Sequence, residues 1–238
     1  MGISLSWYKL KGITEEEFKK LLKDYKKEID EINNTKLYES IDNLNVIDPN
    51  IISFKYQHDF VHSVTIRDEL IKYPYFHKAN FWGIFVEKNL FLLASGKNES
   101  VNFLIEKLKK LIIDLLREKE NKLVDITVEK IKLTPDQLLE VTKKDAITIT
   151  AQWFKKLGER EQTAFLSGNL EDEEGNQSDL YSLFLEKAEK SSSITFISEK
   201  LGYSLGVSQN KISSNVKEAT YESFVNYFKE LMIPIIKT

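Results

Sequence analysis

The chain has 238 residues, of which 30% are charged and 42% hydrophobic, and it carries a formal net charge of −3 with no cysteine. The lack of cysteine excludes disulfide scaffolds, cysteine zinc sites and cysteine nucleophiles, and the hydrophobic content excludes a disordered protein. No run of about 18 uncharged apolar residues occurs, so we expect no membrane-spanning helix. The first residues lack the basic-then-apolar pattern of a secretion signal, and we expect a cytoplasmic protein.

Helices are predicted wherever apolar residues recur at three- and four-residue spacing. The first begins at Thr14, which forms a capping box with Glu17, and its apolar stripe extends to Ile32. A second capping box opens a short helix at Thr134, and Pro234 is expected to end the last helix. The remaining predicted helices cover residues 101–115, 180–188 and 221–232.

Strands are predicted from segments rich in β-branched and aromatic residues. They cover residues 3–10, 51–56, 81–86, 90–95, 124–133, 147–154, 165–170 and 194–198, and a stretch near 203–213. The order of strand and capped helix at the start recurs after residue 124, which is consistent with an internal duplication. We therefore predict an α+β fold of two tightly packed lobes of largely antiparallel sheet, each covered by amphipathic helices. The lobes are 1–122 and 123–238, with one continuous domain as the alternative.

All three histidines, His58, His62 and His77, lie within twenty residues of one another. Together with Asp59 or Asp68 they could hold a divalent metal ion, and an open coordination position would let that ion activate water. The segment has little helical signal and lacks the glutamate of an HExxH motif. On an extended strand His58 and His62 would lie about 13 Å apart, so hydrogen-bonded or surface histidines are the alternative. No other cofactor is expected.

Cations surround an aromatic side chain near the predicted strand 147–154. Lysine and arginine neutralise phosphates, and an exposed ring can stack on an unpaired base. An ordinary charged surface is the alternative, and either Trp153 or Phe154 must face inward because neighbouring strand residues point to opposite sides. The candidate nucleic-acid-binding residues are Lys143, Lys144, Trp153, Lys155, Lys156 and Arg160.

A dense aromatic segment beside Pro74 is a candidate surface for a protein partner. Its residues Tyr73, Tyr75 and Phe76 are of the type that anchors interfaces when exposed; a core plug is the alternative. Sheet edges left open by short strands are a second place for a partner, or for a homodimer.

The charge is segregated along the chain and no complete catalytic motif accompanies it. Residues 159–189 carry 2 basic and 9 acidic side chains, whereas residues 190–217 carry 4 basic and 1 acidic. The GxSxG, P-loop and GxGxxG motifs do not occur. We therefore expect a non-catalytic binding or adaptor module that engages a protein or nucleic acid, and no membrane, through a sheet face or edge. The alternative is a metal-dependent hydrolase or nuclease that uses the histidines.

Overall fold

The computed structural model describes residues 2–32, 34–87, 89–122, 125–157, 163–171, 177–179, 181–182 and 188–237, with backbone alone at 155–157, 163, 169, 171 and 188–190. The helices are α1 (Glu15–Leu22), α2 (Asn98–Glu120), α3 (Pro135–Asp145), α4 (Tyr221–Tyr227) and α5 (Ile233–Lys237). The strands are β1 (Ile3–Lys11), β2 (Lys26–Ile32), β3 (Thr35–Asp48), β4 (Ile51–Ile66), β5 (Glu69–Val86), β6 (Asn89–Ser95), β7 (Thr127–Glu129), β8 (Ala146–Leu157), β9 (Thr163–Glu171), β10 (Ala188–Ser198), β11 (Ser204–Ser208) and β12 (Lys211–Ser214).

The strands of the described residues belong to one sheet, in the order β2-β3-β4-β5-β6-β1-β12-β11-β10-β8-β9, and β7 pairs with β1 beside this path. The prediction of two sheet lobes, each covered by amphipathic helices, is therefore wrong. The reason is β1, which hydrogen-bonds to β6 on one side and to β12 on the other. Strands β2 to β6 and strands β8 to β12 are therefore joined in one sheet. The expectation of largely antiparallel pairing agrees with the registers, from β2 with β3 to β8 with β9.

Residue contacts divide the chain into two units that share β1. One unit contains Trp7–Lys130, and the other contains Met1–Ser6 and Ile131–Thr238. Residues Ile3 to Ser6 of β1 pair with β12, while Lys9 to Lys11 pair with β7. The domain boundary predicted at residue 122 stays a prediction.

In the unit Trp7–Lys130, one sheet face packs against α1 and α2. The capping box of Thr14 and Glu17 is present, which confirms the predicted start of α1. The predicted extension of that helix to Ile32 is wrong: α1 ends at Leu22, Asp24 has a φ of 54°, and β2 follows. An aspartate tolerates this left-handed conformation, which stops a helix. The buried cluster includes Phe18, Leu22, Phe54, Tyr56, Phe81, Leu92, Leu104, Leu108 and Ile112.

In the other unit, α3 begins at its predicted capping box and contacts the end of the chain. The amide of Gln137, the last residue of that box, donates to the carbonyl oxygen of Ile235 at 3.0 Å. The helix does not end at Pro234 as predicted. A π-helical segment, Phe228–Met232, joins α4 to α5, and the N–H of Ile233 donates to the carbonyl of Phe228, five residues back. This wider turn accommodates a proline that cannot donate and whose ring crowds an ordinary turn.

Several other predicted elements differ from the structure. The stretch near 203–213 forms two strands, β11 and β12. The strand expected at 124–133 shortens to β7. Most of the helix expected at 180–188 lies outside the described residues, and Ala188 begins β10. None of the helices in the described ranges is long and apolar enough to cross a membrane.

Candidate functional site

The three histidines lie on β4 and β5, which form one long hairpin. His58 is directly opposite His77, and His62 is opposite Tyr73. Because side chains alternate along a strand, His58 and His62 share a sheet face, as the extended-strand alternative expected. Within the described residues, no group of three histidine, aspartate or glutamate side chains could hold a metal ion. The structure therefore adds no support to the metal site.

The two aspartates of the predicted metal site have other places in the fold. Asp59 is buried, and its carboxylate accepts from the backbone N–H of Tyr38 at 2.9 Å and from the Gln57 amide at 2.8 Å. Asp68 lies in the two-residue turn at the tip of the hairpin, where both Arg67 and Asp68 have positive φ. That conformation suits a type I′ hairpin turn. Asp59 stabilises the sheet and Asp68 ends the hairpin.

His58 belongs to a hydrogen-bonded network centred on Glu39 of β3. Glu39 Oε1 lies 3.0 Å from His58 Nδ1 and accepts from the Tyr56 hydroxyl at 2.6 Å. Glu39 Oε2 accepts from the Tyr25 hydroxyl at 3.1 Å. A carboxylate has no hydrogen to give, so His58 donates through Nδ1, and in the neutral imidazole Nε2 is left as the acceptor nitrogen. The network thus fixes one tautomer of His58.

The network also sets the ionisation of its members. Burial alone would raise the pKa of Glu39, but the hydrogen bonds from His58 and Tyr56 hold it below its ordinary value. Burial, and then the charge of Glu39, raise the pKa values of Tyr56 and Tyr25. Both tyrosines therefore stay neutral and donate to an ionised carboxylate.

The Glu39 network opens into a cleft of about 300 Å³ between the sheet and α2. Tyr25, Glu39 and His58 form part of its lining, together with Lys27 of β2. The α2 wall contributes Leu111 and Leu115, and four charged residues: Lys107, Lys110, Asp114 and Glu118. We call this space, defined by these residues, the Glu39 cleft.

The far half of the hairpin extends beyond its neighbouring strands. β3 pairs with β4 only as far as His58, and β6 pairs with β5 only from Asn80. The segment between, residues 59–78, is called the arm. Its aromatic rings contact one another across the two strands: Phe60 and Tyr75 have centroids 5.3 Å apart, and His62 and Tyr73 5.2 Å.

Helix α2 covers only the base of the arm. Phe103 of α2 lies 4.6 Å from the ring of His77 and 5.4 Å from that of Phe60. Farther out, Tyr73 is 38% and Tyr75 45% exposed. Phe76 is 50% exposed, and it faces the opposite side because it pairs with Asp59. The arm therefore presents aromatic groups on both faces.

The candidate nucleic-acid-binding residues are only partly described. Trp153 is exposed and lies beside exposed Phe165 of β9, with ring centroids 4.7 Å apart, whereas Phe154 is buried. Lys143 lines a shallow cleft at the end of α3, and Lys144 forms an ion pair with Glu140 at 3.1 Å. The side chains of Lys155 and Lys156, and all of Arg160, lie outside the described residues.

Sequence reasoning missed Glu39 and its tyrosines. Tyr56 ends the predicted strand 51–56 and His58 lies two residues beyond it, so an extended continuation of that strand would place both side chains on one face. Glu39 itself gave none, because β3 was not predicted and its register with β4 depends on irregular pairing between Asp42 and Asn45.

A scan against protein-family models finds no match, and searches of curated proteins and of solved structures return none either. The functional argument therefore depends on the geometry.

Proposed function

We propose that the chain is a non-catalytic binding module that recognises a protein partner through the arm. The observation that carries this proposal is the concentration of exposed apolar side chains there. Among the described residues, half of the large exposed hydrophobic side chains lie between positions 66 and 76. They are Ile66, Leu70, Ile71, Tyr73, Tyr75 and Phe76.

The charge of the arm favours a protein over a nucleic acid. Residues 59–78 contain three basic side chains, Arg67, Lys72 and Lys78, and three acidic ones. A surface that neutralises phosphates needs a net positive charge. Exposed tyrosines in a neutral surrounding are typical of protein interfaces instead.

The free edge of β5 in the arm is poorly suited to pairing with a strand from a partner. In a hairpin with a two-residue turn, Ile66 and Glu69 form a hydrogen-bonded pair, and such pairs then alternate with non-hydrogen-bonded ones. Pro74, opposite Val61, falls on a non-hydrogen-bonded position. A residue there directs its N–H outward, and proline has none, so Pro74 blocks strand addition along β5. The aromatic faces are the better contact surface.

The test compares the arm with the other exposed aromatic pair of the chain. Wild type, a Tyr73→Ser/Tyr75→Ser variant and a Trp153→Ser/Phe165→Ser control would be used as baits, and retained proteins would be identified, purified and titrated by calorimetry. We expect a partner that binds wild type and control with equal affinity and the arm variant about tenfold or more weakly, since buried aromatic anchors dominate interfaces.

Two results would overturn the proposal. One is a purified partner that binds the arm variant as tightly as wild type. The other is binding of single-stranded RNA or DNA that disappears in a Lys155→Glu/Lys156→Glu variant, which would identify a nucleic-acid-binding module instead. The expected cytoplasmic location remains part of the proposal.

A further inference from the structure

The charged side chains of the Glu39 cleft are not engaged with one another. Within the described residues, Lys27, Lys107, Lys110, Asp114 and Glu118 form no ion pair within 4 Å. Nearby on α1, by contrast, lysines pair with glutamates, as in Lys20 with Glu120 at 2.8 Å. The cleft therefore keeps both signs of charge available to a ligand.

His58 supplies the cleft with a hydrogen-bond acceptor. Its residue surface is 9% exposed, and Nδ1 is committed to Glu39. No described residue hydrogen-bonds to Nε2, and this nitrogen is not among the fully buried polar atoms that lack a partner. A nearly buried imidazole with one fixed and one open nitrogen is suited to contact a bound polar group.

The charges follow an order along α2. Lys107 and Lys110 lie toward the N-terminal end of the lining, whereas Asp114 and Glu118 lie toward its C-terminal end. Lys110 and Asp114 are separated by roughly 6 Å of helix axis at about 1.5 Å per residue. The acidic end lies toward Tyr25, whose pKa the charges of Glu118 and Asp114 help to raise. The α2 wall of the cleft thus has a positive end and a negative end, and the strands add Lys27 and the carboxylate of Glu39 to the lining.

We propose that the Glu39 cleft binds a small zwitterion of the amino-acid type. The ligand's carboxylate contacts Lys107 and Lys110, its ammonium contacts Asp114 and Glu118, and a polar group of its side chain donates to His58 Nε2. A simple anion or cation would meet a like charge at one end of the cleft. Leu111 and Leu115 supply an apolar wall for the carbon skeleton. This site does not depend on the arm having a protein partner.

The experiment titrates the full chain by calorimetry with each of the twenty amino acids. For any that binds, its amide, which lacks the carboxylate, and its N-acetyl derivative, which lacks the ammonium, are titrated next. We expect at least one amino acid to bind and both derivatives to bind about tenfold or more weakly, since charge-assisted contacts are the strong ones.

Variants on α2 separate specific contacts from general charge effects. Lys110→Gln and Glu118→Gln remove one charge from each end of the cleft; Lys119→Gln and Glu106→Gln remove matched charges from the same helix outside it. We expect only the first pair to weaken binding, with circular dichroism confirming that all four fold. Failure of every amino acid to bind would overturn the proposal, as would equal binding of the derivatives or equal losses in both pairs of variants.

A spectroscopic measurement tests the acceptor role of His58 without any ligand. Nitrogen-15 spectra recorded where the His58 imidazole is neutral should show the proton on Nδ1 and none on Nε2. A proton on Nε2 would overturn that role.

Discussion

Glu39 and Asp145 are two carboxylates with similar partners and different access to water. Asp145 Oδ2 accepts from the Ser198 hydroxyl at 2.6 Å and from the Tyr227 hydroxyl at 2.8 Å, and its Oδ1 accepts from the Lys200 backbone N–H at 2.9 Å. Asp145 is 2% exposed, and its hydrogen bonds from Ser198 and Tyr227 are buried. Glu39 also accepts three hydrogen bonds, but it lines an open cleft.

The difference in access to water separates a carboxylate that only stabilises the fold from one that a ligand can approach. Asp145 ends α3 and ties it to the end of β10 and to α4, so its bonds hold three elements together. Glu39 holds β3 to β4 and also orients an imidazole toward a space that a ligand can enter. Similar hydrogen bonding thus gives a fold-stabilising carboxylate in one unit and a candidate ligand site in the other.

The largest expected effect is the loss of Asp145. In Asp145→Ala, two buried hydroxyls and the backbone N–H of Lys200 lose their acceptor, and we expect the free energy of unfolding to fall by about 3 kcal/mol. Urea denaturation at neutral pH measures this change. The control is Asp136→Ala, an exposed aspartate in the first turn of α3, for which a change of roughly 0.5 kcal/mol is expected. An equal decrease in the free energy of unfolding of the two variants would contradict the structural role of Asp145.

Removing one tyrosine hydroxyl from each carboxylate tests the comparison of Asp145 with Glu39. Tyr227→Phe and Tyr56→Phe each delete one hydroxyl that donates to a carboxylate. We expect losses of about 2 kcal/mol for Tyr227→Phe and about 1 kcal/mol for Tyr56→Phe, because water reaches Glu39 but not Asp145. Denaturation of both variants measures the difference. A larger loss for Tyr56→Phe would reverse the assignment of sealed and open sites.

Acid should weaken the contribution of Glu39 to stability. Its folded pKa is held below the ordinary value of 4.5, so the unfolded chain binds the proton first as the pH falls. The stabilisation is complete above about pH 4.5 and is lost as the pH decreases through the folded pKa. Glu39→Gln should therefore be less stable than wild type at pH 7, by about 1 kcal/mol, and the difference should shrink toward pH 3. A difference independent of pH would contradict this role.

The smallest expected effect is on the titration of His77. Burial, and then the nearby charge of His58, lower its pKa below 6.5. An NMR titration should place the midpoint below 6.5, and His58→Gln should move it upward because one cause is removed. His62→Gln serves as the control, with no change expected. As the pH falls through this range the unfolded chain protonates first, so His77 makes a small contribution to acid destabilisation.

Local signals predicted the helices better than they predicted the sheet. The capping boxes at Thr14 and Thr134 depend on residues three apart, so the sequence shows them directly. The extension of the first helix to Ile32 was wrong because apolar residues of β2 happen to continue the helical spacing. The single sheet depends on β1 pairing with β6 on one side and β12 on the other. These strands are far apart in the sequence, so no local residue pattern predicts the pairing.

The candidate site was predictable only in part. The aromatic segment Tyr73 to Phe76 was recognised from its composition, but its exposure depends on where β3 and β6 stop pairing. His58 was predicted as a candidate metal ligand, whereas its partner Glu39 lies 19 residues away on an unpredicted strand. The register between strands decides which side chains meet across a sheet. The irregular pairing of β3 shifts that register, so it cannot be obtained by counting residues from the turn.

The division of β1 has a consequence for synthesis of the chain. Residues Ile3 to Ser6 pair with residues Lys211 to Ser214, near the other end of the sequence. The unit Trp7–Lys130 is contiguous, and it can assemble while later residues are still being added. The other unit cannot close its sheet until β12 has left the ribosome, because the partner of its first residues is the last strand to be made. Closing so long a loop is slow, so this pairing is expected to be the final step of folding.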